Sequence, residues 1–312
     1  MAINKEQIGQ VNPNGPQSSK SNGGGPFVPE ESLCDPRKER IEEWRNAPET
    51  ILKYKEGKVF DENQNVLYEY PPGNEHYEGA RLMILGEEVM DSCQTPWAQE
   101  TVRRAFEALD PSPRVQKRNV KVLERGFGMG IVAGEFMDEL KKRNGAYTVI
   151  ELNRHVAAFA RNTWLSKQRQ MERDKATSVL GGSFMESGVT VEFIEGDAFE
   201  ETKILVEQGR KFDIIASDTY PLTDEERSIN DLIDLETLVK CLEPDGVFTF
   251  FGYSNSSQSG LNSVQRRIID IYFRDTHVTH VPVDSPPDYK YFQTPNGPLK
   301  ELPVVICKSP IL

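Results

Sequence analysis

Two glycines and a carboxylate stand at a spacing suited to binding a nucleoside. Gly126 and Gly128 follow the short β-rich run V-K-V-L-E-R, and Glu151 ends a second β-rich run 23 residues after Gly128. In a strand–turn–helix–strand unit, such glycines bring backbone N–H groups close to a cofactor, and the acid reaches its ribose hydroxyls. We therefore predict a nucleoside cofactor in this turn.

The third glycine of a pyrophosphate-binding G-x-G-x-x-G is missing, and Ile131 stands in its place. A branched side chain there hinders the close backbone approach that a pyrophosphate needs, whereas a cofactor with one nucleoside and an amino-acid tail needs no such approach. The pattern favours S-adenosylmethionine over a dinucleotide. The alternative, a dinucleotide-dependent oxidoreductase, is also disfavoured because no evident catalytic His, Tyr-x-x-x-Lys or Cys accompanies the turn.

Asp218 is the candidate for acid–base chemistry. It opens the run D-T-Y-P-L after a predicted strand, and ligands of an open parallel sheet bind at the carboxyl ends of its strands. Asp218 should therefore face the same crevice as the glycine turn. A carboxylate can hold a nitrogen nucleophile and accept its proton while a methyl group is displaced in line from a sulfonium. A structural Asx-turn before Pro221 is the alternative.

Three consecutive residues follow the third predicted strand. Asp197 can accept a hydrogen bond from an adenine amino group, and Ala198 and Phe199 can line an adenine pocket. A turn aspartate and a core phenylalanine are the alternative interpretation. His277 and His280 lack a carboxylate or cysteine partner at metal spacing, so no metal site is predicted.

Alternating elements must position these residues. β-rich and amphipathic runs alternate from about residue 95, which is typical of parallel strands joined by helical crossovers. The predicted strands cover 121–124, 147–152, 189–194, 212–217, 247–251, 278–283 and 302–308, and the predicted helices cover 96–109, 131–142, 154–173 and 231–242. The predicted fold class is α/β: a three-layer sandwich with a mainly parallel seven-stranded sheet and helices on both faces, in a Rossmann-like arrangement.

Composition divides the chain into three parts. Residues 1–30, rich in Asn, Gln, Gly, Ser and Pro, are predicted to be a disordered tail. Residues 31–90 form an N-terminal extension, with a charged helix and then a hairpin that joins 58–60 to 66–68. We expect this extension to cover the site, with pairing to another subunit as the open alternative. Residues 91–312 should form the catalytic domain.

The charge balance excludes several classes of partner. With 37 basic and 49 acidic residues, the net charge is −12 at pH 7, which opposes binding to nucleic acid. The chain has neither an apolar run of about 18 residues nor an apolar signal core, so we expect no membrane contact and a cytoplasmic location. The four widely spaced cysteines are interpreted as reduced thiols. A small molecule is the expected partner, and a homodimer stays open.

The motifs together resemble those of guanidinoacetate N-methyltransferase and its arginine N-methyltransferase relatives. They are, in order, V-M-x-x-x-x-T-P from Val89, G-F-G-M from Gly126, D-T-Y-P-L from Asp218 and L-x-P-x-G-V from Leu242, and the match covers residues 75–312. The resemblance implies a class I S-adenosylmethionine-dependent methyltransferase. It also implies action on a nitrogen of a small metabolite, a guanidino, amidine or amine compound.

The same resemblance implies roles for named residues. Asp218 would hold and deprotonate the acceptor, Gln94 and Tyr220 would contact it, and Tyr253 and Ser254 would hold its carboxylate. The residues implied to contact the cofactor are Met90, Gly126, Phe127, Gly128, Met129, Gly130, Ile131, Glu151, Leu152 and Asn153, with Met90 near the sulfonium.

Gln94 departs from the family pattern. The family motif is W-E-T-P, and its glutamate is a second carboxylate on the guanidinium, whereas this chain has Cys93-Gln94-Thr95-Pro96. A carboxylate about 4 Å from a cation contributes roughly 4 kcal/mol at an effective dielectric of about 20. The amide therefore favours an acceptor with less charge or with a different set of donors and acceptors. A non-catalytic S-adenosylmethionine-binding module is the alternative.

The Gln94→Glu substitution should raise the affinity for guanidinoacetate, because it restores the missing negative charge. Isothermal titration of the unaltered protein and the variant with guanidinoacetate measures the change. Equal affinity in the two proteins would show that Gln94 does not select the substrate.

Overall fold

The computed structural model describes residues 36–110, 112, 119–170, 188–223, 225–227, 229–252, 260–288, 293–294, 297–298 and 300–311. The predicted disordered tail lies outside these residues, and so do Tyr253 and Ser254. From Pro36 onward the described chain is one compact unit. The division near residue 90 into an extension and a catalytic domain stays a prediction.

The N-terminal extension folds as a helix followed by a five-stranded antiparallel sheet. Its elements are α1 (Pro36–Asn46), β1 (Glu49–Lys55), β2 (Lys58–Phe60), β3 (Val66–Glu69), β4 (Gly79–Ile84) and β5 (Glu87–Asp91), in the sheet order β3-β2-β1-β4-β5. The structure contains the helix expected over 35–46 and the hairpin of β2 and β3. The sequence does not reveal β1, because that strand is half-buried along most of its length and shows no clean apolar alternation.

A seven-stranded sheet forms the middle layer of the rest of the chain. Its strands are β6 (Lys121–Arg125), β7 (Ala146–Glu151), β8 (Thr190–Glu195), β9 (Phe212–Ser217), β10 (Leu242–Phe251), β11 (Phe273–Pro282) and β14 (Glu301–Pro310), in the order β8-β7-β6-β9-β10-β14-β11. The sheet is mixed, since β14 runs antiparallel to both of its neighbours. A small hairpin of β12 (Gln293–Thr294) and β13 (Gly297–Pro298) precedes β14.

Helices cover both faces of this sheet, as the α/β prediction requires. One face carries α2 (Thr95–Leu109), α3 (Ile131–Lys141) and α4 (Arg154–Phe159), and the other carries α5 (Ala198–Glu207), α6 (Leu235–Cys241) and α7 (Ser263–Tyr272). Consecutive strand residues alternate between the two cores, as Val122 and Leu123 do in β6. None of the described helices is long and apolar enough to cross a membrane.

Several predicted helix ends shift in the structure. The helix expected over 231–242 begins only at Leu235, because Asn230–Leu232 forms a separate 3₁₀ turn, and Leu242 already belongs to β10. The helix expected over 154–173 continues α4 through a π-helical turn, and its last three residues lie outside the described part of the chain.

The strand order reverses between β6 and β9. From β6 the chain passes outward to β7 and β8, and it returns to place β9 on the other side of β6. This is the switch point at which open α/β sheets bind ligands, outside the carboxyl ends of the strands. Gly126 follows β6 and Asp218 follows β9, so the two sequence motifs meet there.

Gly126→Ala should destabilise the protein by about 2–4 kcal/mol. Gly126 has φ +85°, and a Cβ atom there would lie 2.3 Å from the carbonyl oxygen of Asp218. Gly134→Ala is the matched control, because a Cβ at this α3 position meets nothing within 4 Å and alanine favours a helix by about 0.5–1 kcal/mol. Urea unfolding of both variants measures the difference, and equal stability would contradict the close approach.

Candidate active site

A cavity of about 400 Å³ lies at the carboxyl ends of β6, β7 and β9. It brings together predicted residues that are distant along the chain. Those that line it are Met90, Gln94, Gly126, Gly128, Glu151, Leu152, Asp197, Ala198, Phe199, Asp218 and Tyr220. The cavity is of the size that small-molecule sites in proteins usually have.

The glycine turn forms the wall between the strand ends and the N-terminal extension. Gly128 has φ +53°, and a Cβ atom there would lie 2.8 Å from the sulfur of Met90. The backbone N–H of Met129 donates to the same sulfur at 3.2 Å. Glycine is therefore needed at 128 for its backbone conformation and for the approach of Met90.

The Glu151 carboxylate is held in one orientation by backbone groups. Its Oε2 accepts from the N–H of Phe127 at 2.9 Å, and its Oε1 accepts from the N–H of Asn153 at 2.7 Å. Burial raises the pKa of Glu151, and these backbone hydrogen bonds oppose the rise. The carboxylate is thus fixed at the cavity beside the glycine turn, and its remaining lone pairs can accept further hydrogen bonds.

Asp197 lines the cavity and connects it to α1. Its Oδ1 caps α5 by accepting from the N–H groups of Phe199 and Glu200, at 3.1 and 3.2 Å. Its Oδ2 accepts from Arg37 at 3.0 Å, and the Arg37 guanidinium lies 4.4 Å from the centroid of the Phe199 ring. Residues from two parts of the chain therefore meet where adenine binding is predicted: Asp197 and Phe199 after β8, and Arg37 in the N-terminal extension.

Asp218 is a buried acidic residue that lines the cavity. No described residue donates a hydrogen bond to it, while burial and then the neighbouring Asp231 carboxylate raise its pKa from 3.8 to about 8. Asp231 is itself fixed, because its Oδ1 accepts from Ser217 Oγ at 2.8 Å and from the N–H of Thr219 at 3.0 Å. The site thus holds an acid group that ionises near neutral pH, as suits proton transfer.

The Gln94 side chain is held by the backbone at its oxygen. Its Oε1 accepts from the N–H of Asp91 at 3.1 Å, as the second half of a capping box on the 3₁₀ turn Ser92–Gln94 that precedes α2. This bond uses one of the two lone pairs of the amide oxygen, while the NH₂ group can donate to a ligand in the cavity that Gln94 lines.

The helix α1 forms part of the cavity wall. Trp44 stacks on Tyr220 with ring centroids 4.5 Å apart. Asn153 donates to the carbonyl oxygens of Trp44 and Ala47, at 2.9 and 2.8 Å, and its own Oδ1 accepts from the first N–H groups of α4. Asn153 therefore holds α1 against the sheet and does not line the cavity.

Other predicted cofactor residues also lie away from the cavity lining. Phe127 is fully buried and packs on Trp164, with ring centroids 5.3 Å apart. Ile131 begins α3, and the backbone of Met129 and Gly130 forms the turn before it. These residues shape the turn, so any role in ligand contact falls to their backbone and remains a prediction.

The sequence missed several residues that line the cavity. They are Arg37, Trp44, Glu88, Asn230 and Asp231. Arg37 and Trp44 lie in a charged helix about 80 residues before the glycine turn, in a segment that the resemblance does not cover. No local pattern reveals such long-range contacts. The acidic pair Asp231 and Asp234, in the helix predicted over 231–242, was a usable signal for buried charge.

Comparison with known proteins gives distant similarities. No protein-family model matches the chain. Protein arginine N-methyltransferase 2 of Saccharomyces cerevisiae is 25% identical over 189 residues, which are 60% of this chain and 39% of that protein. The chain thus spans well under half the length of this relative.

Solved structures show low similarity. Spermidine synthase from Thermotoga maritima is 15% identical with a TM-score of 0.46, covering 84% of this chain and 74% of that one. Human methyltransferase-like protein 13 in complex with SAH is 14% identical with a TM-score of 0.39, covering 69% of this chain and 81% of that one.

Asp218→Asn should raise the stability near pH 8. The pKa of Asp218 is higher in the folded protein than in the unfolded chain, so folding favours the protonated carboxyl. The stability that this group contributes is therefore fully present below about pH 4 and is lost as the pH rises toward 8. Asparagine does not ionise, and the variant should unfold about 2–5 °C higher at pH 8, with a smaller gap at pH 5. Thermal unfolding at both pH values measures this gap.

Asp270→Asn is the matched control, since Asp270 is exposed on α7. The difference in unfolding temperature between this variant and the unaltered protein should not grow with pH. If Asp218→Asn behaves in the same way, Asp218 ionises as an ordinary surface carboxyl, and the electrostatic description of the site is wrong.

Proposed function

We propose that the protein is an S-adenosylmethionine-dependent methyltransferase that acts on a nitrogen of a small molecule. The observation that carries the proposal is that Asp218 and the glycine turn line one cavity at the switch point of the sheet, with the backbone of Asp218 against Gly126. The distant similarity to a protein arginine N-methyltransferase supports the same reaction class.

The residues around the cavity fit this cofactor. Gly126 and Gly128 both line the cavity, so a ligand there would lie beside the backbone of the turn. Glu151 can accept from ribose hydroxyls, and Asp197 with Phe199 can hold the adenine. S-adenosylmethionine bound there would supply a methyl group on a sulfonium, which is a good leaving group.

Asp218 performs the protein's part of the transfer. Its carboxylate accepts a hydrogen bond from an N–H of the acceptor, and this contact orients the nitrogen lone pair toward the cofactor. As the new N–C bond forms, the nitrogen becomes more acidic and its proton passes to the carboxylate oxygen. A pKa of about 8 makes the group a stronger base than an ordinary aspartate.

The charge of the cavity favours cationic ligands. Its lining residues include two arginines, Arg37 and Arg227, and five acidic residues: Glu88, Glu151, Asp197, Asp218 and Asp231. An excess of negative charge in a cleft raises the local concentration of cations. A sulfonium and a cationic nitrogen compound both fit this environment.

Incubation with S-adenosylmethionine and a panel of guanidines, amidines and amines tests the proposal, with mass spectrometry to detect the gain of a methyl group. Asp218→Asn should lower turnover about 100-fold or more. Its affinity for S-adenosylhomocysteine should stay nearly unchanged, because Asp218 serves the acceptor. Undiminished product from this variant would remove Asp218 from the mechanism.

The pH dependence provides an independent prediction. Because only the ionised carboxylate accepts a proton, kcat/KM for a guanidine acceptor should fall about tenfold per pH unit below pH 8 and level off above it. Asp231→Asn removes a neighbouring negative charge, so it should lower the pKa of Asp218. The fall in kcat/KM should then begin at a lower pH. Asparagine can still accept from Ser217 and Thr219, so the loop should keep its conformation. If kcat/KM of this variant begins to fall at the same pH as in the unaltered enzyme, Asp231 does not raise the pKa of Asp218.

A further inference from the structure

We propose that Asn230 is a positioning residue for methyl transfer, which holds Thr219 and thereby fixes the position of the Asp218 carboxyl group. This inference rests on the proposed function and extends it to a residue that no motif of the sequence indicated. Asn230 lines the same cavity as Asp218 and is only 7% exposed. Its amide group is bonded to the loop after β9, and these bonds are the basis of the proposal.

The Asp218 side chain is not oriented by hydrogen bonds of its own. No group in the part of the chain that the structure describes donates to its carboxyl. Its backbone is held on one side, since its N–H donates to the carbonyl oxygen of Arg125 at 3.0 Å and its own carbonyl lies against Gly126. The other side depends on Thr219, the next residue of the loop.

Each polar atom of Thr219 is bonded to Asn230 or to Asp231. The Nδ2 of Asn230 donates to the Thr219 carbonyl oxygen at 2.5 Å and to its hydroxyl oxygen at 2.6 Å. The Oδ1 of Asp231 accepts from the Thr219 N–H at 3.0 Å and from the Thr219 hydroxyl at 2.9 Å. The hydroxyl thus donates to one residue and accepts from the other, so both the backbone and the side chain of Thr219 are held.

The two residues that hold Thr219 belong to a short 3₁₀ turn. The sequence predicts a continuous helix over 231–242, but Asn230–Leu232 forms a separate turn in the structure. Consecutive side chains of a regular α-helix are about 100° apart around its axis, whereas Asn230 and Asp231 both meet one residue. The departure from the predicted helix therefore supplies both side chains that hold the loop.

The amide group suits asparagine to this position. A carbonyl oxygen only accepts hydrogen bonds, so the end of Asn230 at Thr219 must be the NH₂ group. An ionised aspartate has nearly the same shape, but it cannot donate, and it would place a negative charge against the carbonyl oxygen. The N–H donors of Asn230, rather than the volume of its side chain, are what hold the loop.

Asn230→Ala should impair the reaction through Asp218. Proton transfer and alignment of the acceptor nitrogen depend on where the carboxyl lies, and a displacement of about 1 Å can lower a rate about 100-fold. We therefore expect kcat/KM to fall about 10–100-fold, and Asn230→Asp should be impaired to the same degree. The affinity for S-adenosylhomocysteine should change less than about twofold, because Glu151 and the glycine turn are held by other bonds.

The main experiment introduces Asn230→Ala into the unaltered enzyme and into Asp218→Asn, and measures methylation of the acceptor found in the panel by mass spectrometry. A residue that acts only through Asp218 has no further effect once that carboxyl is removed. The loss should be about 10–100-fold in the unaltered enzyme and less than about twofold in Asp218→Asn. Equal losses in both would overturn the proposal, since Asn230 would then bind a ligand or support the fold by itself.

Two substitutions of Thr219 test the bonds themselves. Thr219→Val has nearly the shape of threonine but lacks the hydroxyl, whereas Thr219→Ser keeps it, so the serine variant should lose much less turnover than the valine variant. Asn63→Ala is the control, because Asn63 is exposed in the turn between β2 and β3, and its turnover should be that of the unaltered enzyme. If Thr219→Val and Asn230→Asp both keep full turnover, the bonds to Thr219 do not position Asp218 and the proposal is overturned.

A measurement without turnover separates this inference from the proposed function. Once the loop is released, the Asp218 carboxyl can move toward water, and the pKa that burial raises should fall. The gain in unfolding temperature that Asp218→Asn should give at pH 8 should therefore shrink by about half or more when Asn230→Ala is also present. An unchanged gain would overturn the proposal, whereas a protein that methylates no member of the panel would refute the proposed function.

Discussion

The close approach of two strand ends governs the site. β6 and β9 are neighbours where the strand order reverses, and the carbonyl oxygen of Asp218 lies so close to Gly126 that no Cβ atom fits between them. This backbone contact brings Asp218 beside the glycine turn, at the point of the sheet where open α/β folds bind ligands. The other walls, from the extension and from β7, are arranged around it.

Negative charge accumulates around this contact at a cost to stability. Asp218 and Asp231 are both raised in pKa by burial, and Asp218 also by the charge of its neighbour. Hydrogen bonds from Ser217 and Thr219 stabilise the Asp231 carboxylate. The unfavourable free energy of burying a negative charge therefore arises mainly at Asp218. Such unfavourable burial is characteristic of functional groups, because a ligand can relieve it.

The extension and the site stabilise each other. α1 is a charged helix with two large apolar side chains, Ile41 and Trp44, so a hydrophobic face alone does not hold it. It is held by the stacking of Trp44 on Tyr220 and by the ion pairs of Arg37 with Asp197 and Glu226. Arg37, Trp44 and Tyr220 also line the cavity, so the contacts that hold α1 form part of its wall.

The sequence by itself determined the layers, the strands of the central sheet and the strand-end position of Asp218, because these follow from local periodicity and from the rule that ligands bind at strand ends. Only the tertiary structure decided which hydrogen bond the Gln94 oxygen makes, and that Arg37 and Glu88 line the cavity. Arg37 meets Asp197 across 160 residues of sequence, and Glu88 reaches the cavity through a bulge set by pairing with β4. Contacts of this kind depend on chain crossings and strand register, which leave no local pattern in the sequence.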